Sequence, residues 1–295
     1  MYREDHQLKY DKPILICPGI IKTGTTLLYE VVARSPLIAP AKNKEIHFFS
    51  YGLETDERFL RNRRAIVSSN FNSRTIARYL DQFEVSGQIK FDVSPSYLGH
   101  PGFEARVLEH LEDPYFVVTK RNRVMRAKSA WMHAVRAGLE KDSFSVAIFR
   151  DYKERNPAEL PLRKYFQLSD YEALIARLIE NFGKDRVISL EMSPNMSSSD
   201  LILPIDQLLQ RKLFDHHDFS IQNFESNTAR SIGANQFLVK WFFDNPKLVK
   251  SASDILPRSQ AFRRFASRII YRGDPPKITS DDLEKVNHLF ESEFG

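Results

Sequence analysis

Residues 14–28 read Ile14-Leu15-Ile16-Cys17-Pro18-Gly19-Ile20-Ile21-Lys22-Thr23-Gly24-Thr25-Thr26-Leu27-Leu28. The unbroken apolar run Ile14 to Cys17 suits a strand buried on both faces, as in a parallel sheet. A glycine-bearing turn follows, then apolar residues at Leu27, Leu28, Val31 and Val32 in helical spacing. Strand, loop and helix are therefore expected in that order, with Pro36 and Pro40 stopping the helix. Such a turn points successive N–H groups at a helix N-terminus, where the dipole favours an anion. Gly24 permits close backbone approach. Thr25 and Thr26 add hydroxyls, and Lys22 adds a mobile cation. Gly19 and Gly24 keep the spacing of the G-x-x-x-x-G-K-S/T phosphate loop, but Thr25 stands where that motif has lysine. The change weakens the case for a γ-phosphate. Taken alone, the same residues also fit a plain glycine turn with an exposed lysine.

The rest of the chain extends the pattern. Ile89-Lys90-Phe91-Asp92-Val93, Tyr115-Phe116-Val117-Val118-Thr119 and Arg186-Val187-Ile188-Ser189-Leu190 are strand-like. Residues 123–138 and 170–182 are helix-like, the latter through Leu174, Ile175, Leu178, Ile179 and Phe182. The Ser- and Pro-rich run 193–204 reads as a surface loop. Ser280, ahead of Leu283, Val286, Leu289 and Phe290, reads as the cap of a terminal helix. Alternating strands and helices predict an α/β fold with a central parallel sheet flanked by helices. No repeat or composition shift divides residues 1–295, so a single domain with helical insertions is expected.

Composition narrows the classes. Hydrophobic residues make up 42% and charged residues 27%, which excludes a largely disordered chain. No apolar run reaches the length of a membrane-spanning helix. Met1 to Lys12 is polar, so no leader is read there and a cytoplasmic location is expected. The single cysteine, Cys17, excludes an internal disulfide framework and a thiolate metal cluster. It reads as a buried strand residue. The net charge of +5 suits an anionic ligand without identifying one.

A second basic segment follows the strand at 115–119. Thr119-Lys120-Arg121-Asn122-Arg123 leads into a helical stretch with Ser129 on its first turns. Ligands sit at the carboxyl ends of strands in open α/β sheets. Arg121 and Ser129 could hold a second phosphate there, although a solvated basic helix is the alternative.

Together these motifs resemble those of sulfotransferases that use 3′-phosphoadenosine 5′-phosphosulfate, in particular the carbohydrate, heparan-sulfate-like and bacterial branch. Asn43-Lys44-Glu45-Ile46-His47-Phe48-Phe49-Ser50 and Asp92-Val93-Ser94-Pro95-Ser96-Tyr97-Leu98 also look like segments of that family. The resemblance is strongest over 14–138, weaker over 165–232 and faint at the C-terminus. It implies a P-loop-like sulfotransferase fold. Lys22, Thr23, Gly24, Thr25, Thr26 and Leu27 would bind the 5′-phosphosulfate, and Arg121 and Ser129 the 3′-phosphate. Arg230, within Asn227-Thr228-Ala229-Arg230-Ser231, would lie in a late loop covering the donor. The product would be adenosine 3′,5′-bisphosphate. Glu45 would be the base on the acceptor, with His47 as acceptor contact or alternative base, so the catalytic set is Lys22, Glu45 and His47.

From the residues themselves, Glu45 and His47 share a face if the segment is extended. Phe48 and Phe49 could desolvate the carboxylate and raise its pKa. One departure concerns the later segment, where related glycosaminoglycan enzymes often carry lysine and this chain has Val93. Lys90 could substitute, but on a strand it faces away from Val93. The acceptor is therefore open among small molecules and carbohydrates, and nothing indicates an oligomeric state. Asp215-His216-His217-Asp218 reads as a solvated loop, and no metal is expected. The arginines 58, 61, 63, 64, 74 and 78 read as mostly solvated, as do those of 258–272, a basic amphipathic stretch that could also touch lipid or nucleic acid. No nucleic-acid partner is expected. Arg272-Gly273-Asp274 reads as accidental. A P-loop kinase or NTPase is the rival reading. It needs a Mg²⁺-binding Asp ending an apolar strand, and the best such strand ends in Thr119-Lys120-Arg121. A non-catalytic anion binder is the third.

Overall fold

The computed structural model describes residues 9–42, 44–50, 76–83, 88–136, 139–157, 159–193, 195–215 and 277–295. They fall into two compact units, the first drawn from residues up to 122 and from 170–215, the second from 123–169 and 277–295.

The first unit carries the sheet. Its elements in chain order are β1 (Ile14–Cys17), α1 (Thr25–Val32), β2 (Ile38–Pro40), α2 (Ile76–Leu80), β3 (Ile89–Val93), α3 (Phe103–His110) and β4 (Pro114–Lys120). The second unit then supplies α4 (Arg123–Arg136) and α5 (Phe144–Glu154). The chain returns to the first for α6 (Tyr171–Phe182), β5 (Val187–Glu191) and α7 (Ser198–Leu209), and ends in the second with α8 (Ser280–Phe294). The strands lie in the order β2-β3-β1-β4-β5, and every neighbouring pair is parallel. This is the expected α/β class.

β1 sits centrally, with Cys17 level with Val93 of β3 and Ile16 level with Phe116 of β4. The chain reverses its direction of travel across the sheet at β1, and loops at such a reversal form the usual ligand crevice. Leu15, Leu28, Val32, Phe91, Val117 and Ile202 belong to one buried cluster around it. The second unit has a core of its own, with Ala130, Trp131, Phe144, Ile148, Tyr165 and Phe290.

Four expectations need correction. Residues 193–204 are not all loop, because Ser198 onward is helical. Ser197 accepts from the Asp200 N–H while the Asp200 carboxylate accepts from the Ser197 N–H, a reciprocal cap that starts α7 firmly. Leu201, Ile202, Ile205, Leu208 and Leu209 are buried along one face. Packing that face outweighs Pro204 inside the helix, which removes one backbone hydrogen bond. Pro40 does not end a helix: α1 is finished by Ala33, and Pro40 closes β2, an edge strand where a missing N–H is tolerated. The strand expected at 186–190 runs Val187–Glu191, because Arg186 belongs to the preceding turn. The cap of α8 is Thr279, with Ser280 the first helical residue.

Candidate functional site

The loop after β1 is clamped from both sides. Ser94 N–H donates to Cys17 O at 3.1 Å, Leu98 N–H to Pro18 O at 3.1 Å, and Thr119 N–H to Gly19 O at 3.1 Å. Gly19 has φ +144°, and a Cβ there would lie 2.7 Å from Pro95 O, so the close approach itself requires glycine. Thr23 is buried, and its hydroxyl donates to Ile20 O at 2.6 Å while sitting 2.6 Å from Thr119 Oγ1. Thr23, counted above among donor-binding residues, has its side chain turned into the protein, where it shapes the loop.

Gly24 begins α1 at φ +96° with no side-chain cap, which leaves the first N–H groups of the helix directed at whatever occupies its N-terminus. A Cβ on Gly24 would lie 3.1 Å from Met192 Cε, so the residue after β5 walls this turn. Thr25 is buried, Leu27 is half-buried against the core cluster, and Thr26 is exposed.

The segment 44–47 comes to the same place. Glu45 N–H donates to Val93 O at 3.0 Å and His47 N–H to Ser94 Oγ at 3.1 Å, which ties it to the end of β3. Lys44 Nζ donates to Thr26 Oγ1 at 3.0 Å and lies 3.6 Å from Glu45 Oε1. Glu45 Oε2 lies 3.5 Å from His47 Nε2, and His47 Nδ1 lies 2.8 Å from Ser96 Oγ. A continuous polar chain thus runs from the glycine loop to the Ser94-Pro95-Ser96 turn. Glu45 and His47 do meet, but not by being extended. Their φ angles are 67° and 56°, and that of Lys22 is 71°. The left-handed region is uncommon for non-glycine residues, and such strain concentrates at functional sites. All three residues of the expected catalytic set adopt it.

Phe48 stacks on Tyr79 at 4.9 Å and Phe49 meets the same ring edge-on at 5.0 Å, within an aromatic cluster. Glu45 has cationic and imidazole neighbours instead, and its side chain is 27% exposed.

Beneath this layer lies Asp92, fully buried near the end of β3. It accepts from Ser94 Oγ at 2.7 Å, Tyr97 OH at 2.8 Å and Tyr79 OH at 3.1 Å. Burial pushes its pKa up to about 6 against the pull of those three donors. Burial likewise pushes the Cys17 thiol up to about 12, so it is no nucleophile near neutrality. Lys44, Ser94 and Ser96 were visible only as parts of family-like segments, because their roles depend on contacts 18 to 49 residues away in sequence.

Arg121 follows β4 in the first unit, at the carboxyl end of the strands. Ser129 lies in the second turn of α4, in the second unit. On the same helix Arg126 is fully buried. Its Nε donates to Ser169 Oγ at 3.0 Å and one terminal nitrogen to Lys164 O at 3.2 Å and to Tyr165 O, which anchors the helix. Lys90 does not replace a lysine at Val93. It lies level with Ile14 near the start of β3, over the rings of Tyr10 and Phe83 at 5.5 and 5.7 Å. Arg230, the segments at 216–218 and 258–274, and the arginines 58, 61, 63, 64 and 74 lie outside the described residues. Among the described residues no group of three or more His, Cys, Asp or Glu is placed to share a metal ion, and no helix is long and apolar enough to cross a membrane.

This fold is shared with a solved sulfotransferase. A sulfotransferase from Alicyclobacillus acidocaldarius superposes with a TM-score of 0.55, at 22% identity over 86% of this chain and 99% of that one. The sulfotransferase domain of the Synechococcus PCC 7002 olefin synthase gives 0.38 at 14% identity, over 82% and 98% of the two chains. The sulfotransferase domain of the curacin biosynthetic pathway gives 0.42 at 13%, over 90% and 100%. The last two add nothing to the fold assignment. No protein-family model and no curated protein matches the sequence.

Proposed function

We propose that this chain transfers a sulfuryl group from 3′-phosphoadenosine 5′-phosphosulfate to a hydroxyl or amine of a small-molecule or carbohydrate acceptor. One observation carries the reading: the uncapped glycine turn of α1 and the Lys44-Glu45-Ile46-His47 segment converge, joined by the bond from Lys44 to Thr26. The donor set there suits a phosphosulfate: backbone N–H groups, the Thr26 hydroxyl and two lysines, with a carboxylate set beside them. The donor supplies a sulfuryl group already activated by its anhydride link to phosphate.

Lys22 and the N–H groups of the turn offset charge that grows on the departing phosphate. Glu45 accepts the acceptor's proton, with His47 at its side. Arg121 and Ser129, with Arg230, hold the 3′-phosphate, and that remote binding keeps the reacting group in place. On this proposal residues 1–295 act as one sulfotransferase domain. A P-loop kinase would need a free carboxylate for magnesium, whereas Asp92 at the end of β3 has both oxygens engaged by hydroxyls.

Thermal-shift titration tests the reading. Adenosine 3′,5′-bisphosphate should stabilise the chain without magnesium. A response only to ATP with magnesium would replace the transferase with a kinase. Sulfate transfer across a panel of phenols, sugars and amines would then define the acceptor.

A further inference from the structure

We propose that Ser96 is a positioning residue, which holds the His47 ring with Nδ1 accepting from its hydroxyl and with Nε2–H turned to Glu45. The proposal rests on the sulfotransferase reading for its role but not for its geometry. The His47 side chain is 1% exposed, so its two nitrogens have fixed neighbours. Nδ1 lies 2.8 Å from Ser96 Oγ, itself buried and 3.3 Å from Ser50 Oγ. Nε2 lies 3.5 Å from Glu45 Oε2.

A neutral imidazole carries one N–H, and an ionised carboxylate can only accept. A lone pair on Nε2 would face the negative oxygen, whereas an N–H there is attracted to it. The proton therefore sits on Nε2, and Nδ1 must accept. Ser96 is the hydroxyl at Nδ1, so it donates to the ring and accepts in turn from Ser50. Ser50 donates to Ser96 and Ser96 to His47, whose Nε2–H faces Glu45, so the direction is set by the charge at the end of the chain. The backbone is held to match, because Val93 O and Ser94 Oγ bind the N–H groups of Glu45 and His47.

This settles the division of labour between the two candidate bases. The lone pair of His47 is turned inward and occupied, so the ring does not take the acceptor's proton. Glu45, 27% exposed against 1% for His47, is the more open of the two to an acceptor and is the base. Ser96 acts through His47 to aim it.

The test reads the ring directly. The full chain is labelled with ¹⁵N-histidine, His47 is assigned by its loss in His47→Gln, and spectra are taken at about pH 8, above the ordinary histidine range. The expected result is a protonated Nε2 and an unprotonated, hydrogen-bonded Nδ1. A proton on Nδ1 would overturn the proposal. In Ser96→Ala the Nδ1 resonance should move and the two tautomers should mix. A His47 spectrum unchanged from the wild type would remove Ser96 from the role. If that variant fails to fold, the wild-type spectrum still decides the orientation. With donor and a simple phenol as acceptor, Ser96→Ala should lower kcat roughly three- to tenfold with little change in the donor KM, as expected for losing one hydrogen bond. The tautomer is read without donor or acceptor. A chain that transfers nothing to any acceptor therefore overturns the functional reading, while the spectra judge the ring placement by themselves.

Discussion

Replacing Lys22 by alanine and, separately, by glycine divides what its side chain does from what its backbone costs. The residue sits at φ 71°, where a side-chain-bearing residue is disfavoured by about 1–2 kcal/mol. Glycine escapes that penalty but gives up about 0.4–1 kcal/mol through the greater freedom of its unfolded chain. Both variants lose the ammonium and every contact it makes, so those losses cancel in the comparison. The remainder favours Lys22→Gly over Lys22→Ala by roughly 0.5–1 kcal/mol. In a chain of this size that is a melting-temperature difference of about 1–2 °C. Urea titration and thermal melts of the two proteins measure it, and a sulfate-transfer assay runs beside them. Transfer should be abolished in both while the fold persists. If glycine proves no more stable than alanine, the backbone is not strained at this position, and the reading of it as stability given up for function fails. Near-full transfer by Lys22→Ala would instead remove the ammonium from the mechanism.

Three other outcomes are expected. Glu45→Gln should lower kcat on the order of a hundredfold or more, and His47→Ala less; the reverse ranking in steady-state assays would make His47 the base. Asp92 binds its proton more tightly folded, with a pKa of about 6 against 3.8 for the free group, so its contribution is complete below pH 3.8 and is lost as pH rises through 6. Asp92→Asn should therefore gain on the wild type between pH 3.5 and 7 by on the order of 3 kcal/mol, the equivalent of a roughly hundredfold change in proton affinity, and parallel stability curves would refute the assignment. Pro204→Ala restores a donor toward the Asp200 carbonyl inside α7 and should raise stability by about 1–3 kcal/mol, read as a higher denaturant midpoint.

What the sequence made legible follows from how local each signal is. The run Ile14 to Cys17 is apolar at every position because β1 is covered on both faces, and the same holds for most of β4. Those strands and the glycine turn between β1 and α1 could be read without knowing any neighbour. β2 could not: it is three residues long, ends in proline and is defined by its pairing with β3. α7 was hidden for the opposite reason. Its serines and Pro204 speak for a loop, and only the cap at Ser197 and the buried leucine and isoleucine face reverse that.

The site divides along the same line. Glu45 and His47 stand two apart and were readable as a pair, yet the geometry that joins them was not. Two non-glycine residues at positive φ have no residue-type signature, and they turn the segment so that Lys44 reaches Thr26. The contacts that hold the arrangement span long stretches of chain: His47 to Ser96 across 49 residues and Thr23 to Thr119 across 96. The first exists because β2 pairs with β3 and the second because β4 flanks β1, and all these strands run the same way, which delivers their loops to one end of the sheet. Strand order therefore decides which serine meets which histidine. A variant that loosened the clamp on Gly19, such as Gly19→Ala with its Cβ against Pro95 O, should disturb the Ser94-Pro95-Ser96 turn and the His47 ring together. A His47 resonance unmoved in a folded Gly19→Ala protein would show that the loop and the Glu45–His47 pair are built independently, against the shared-clamp account.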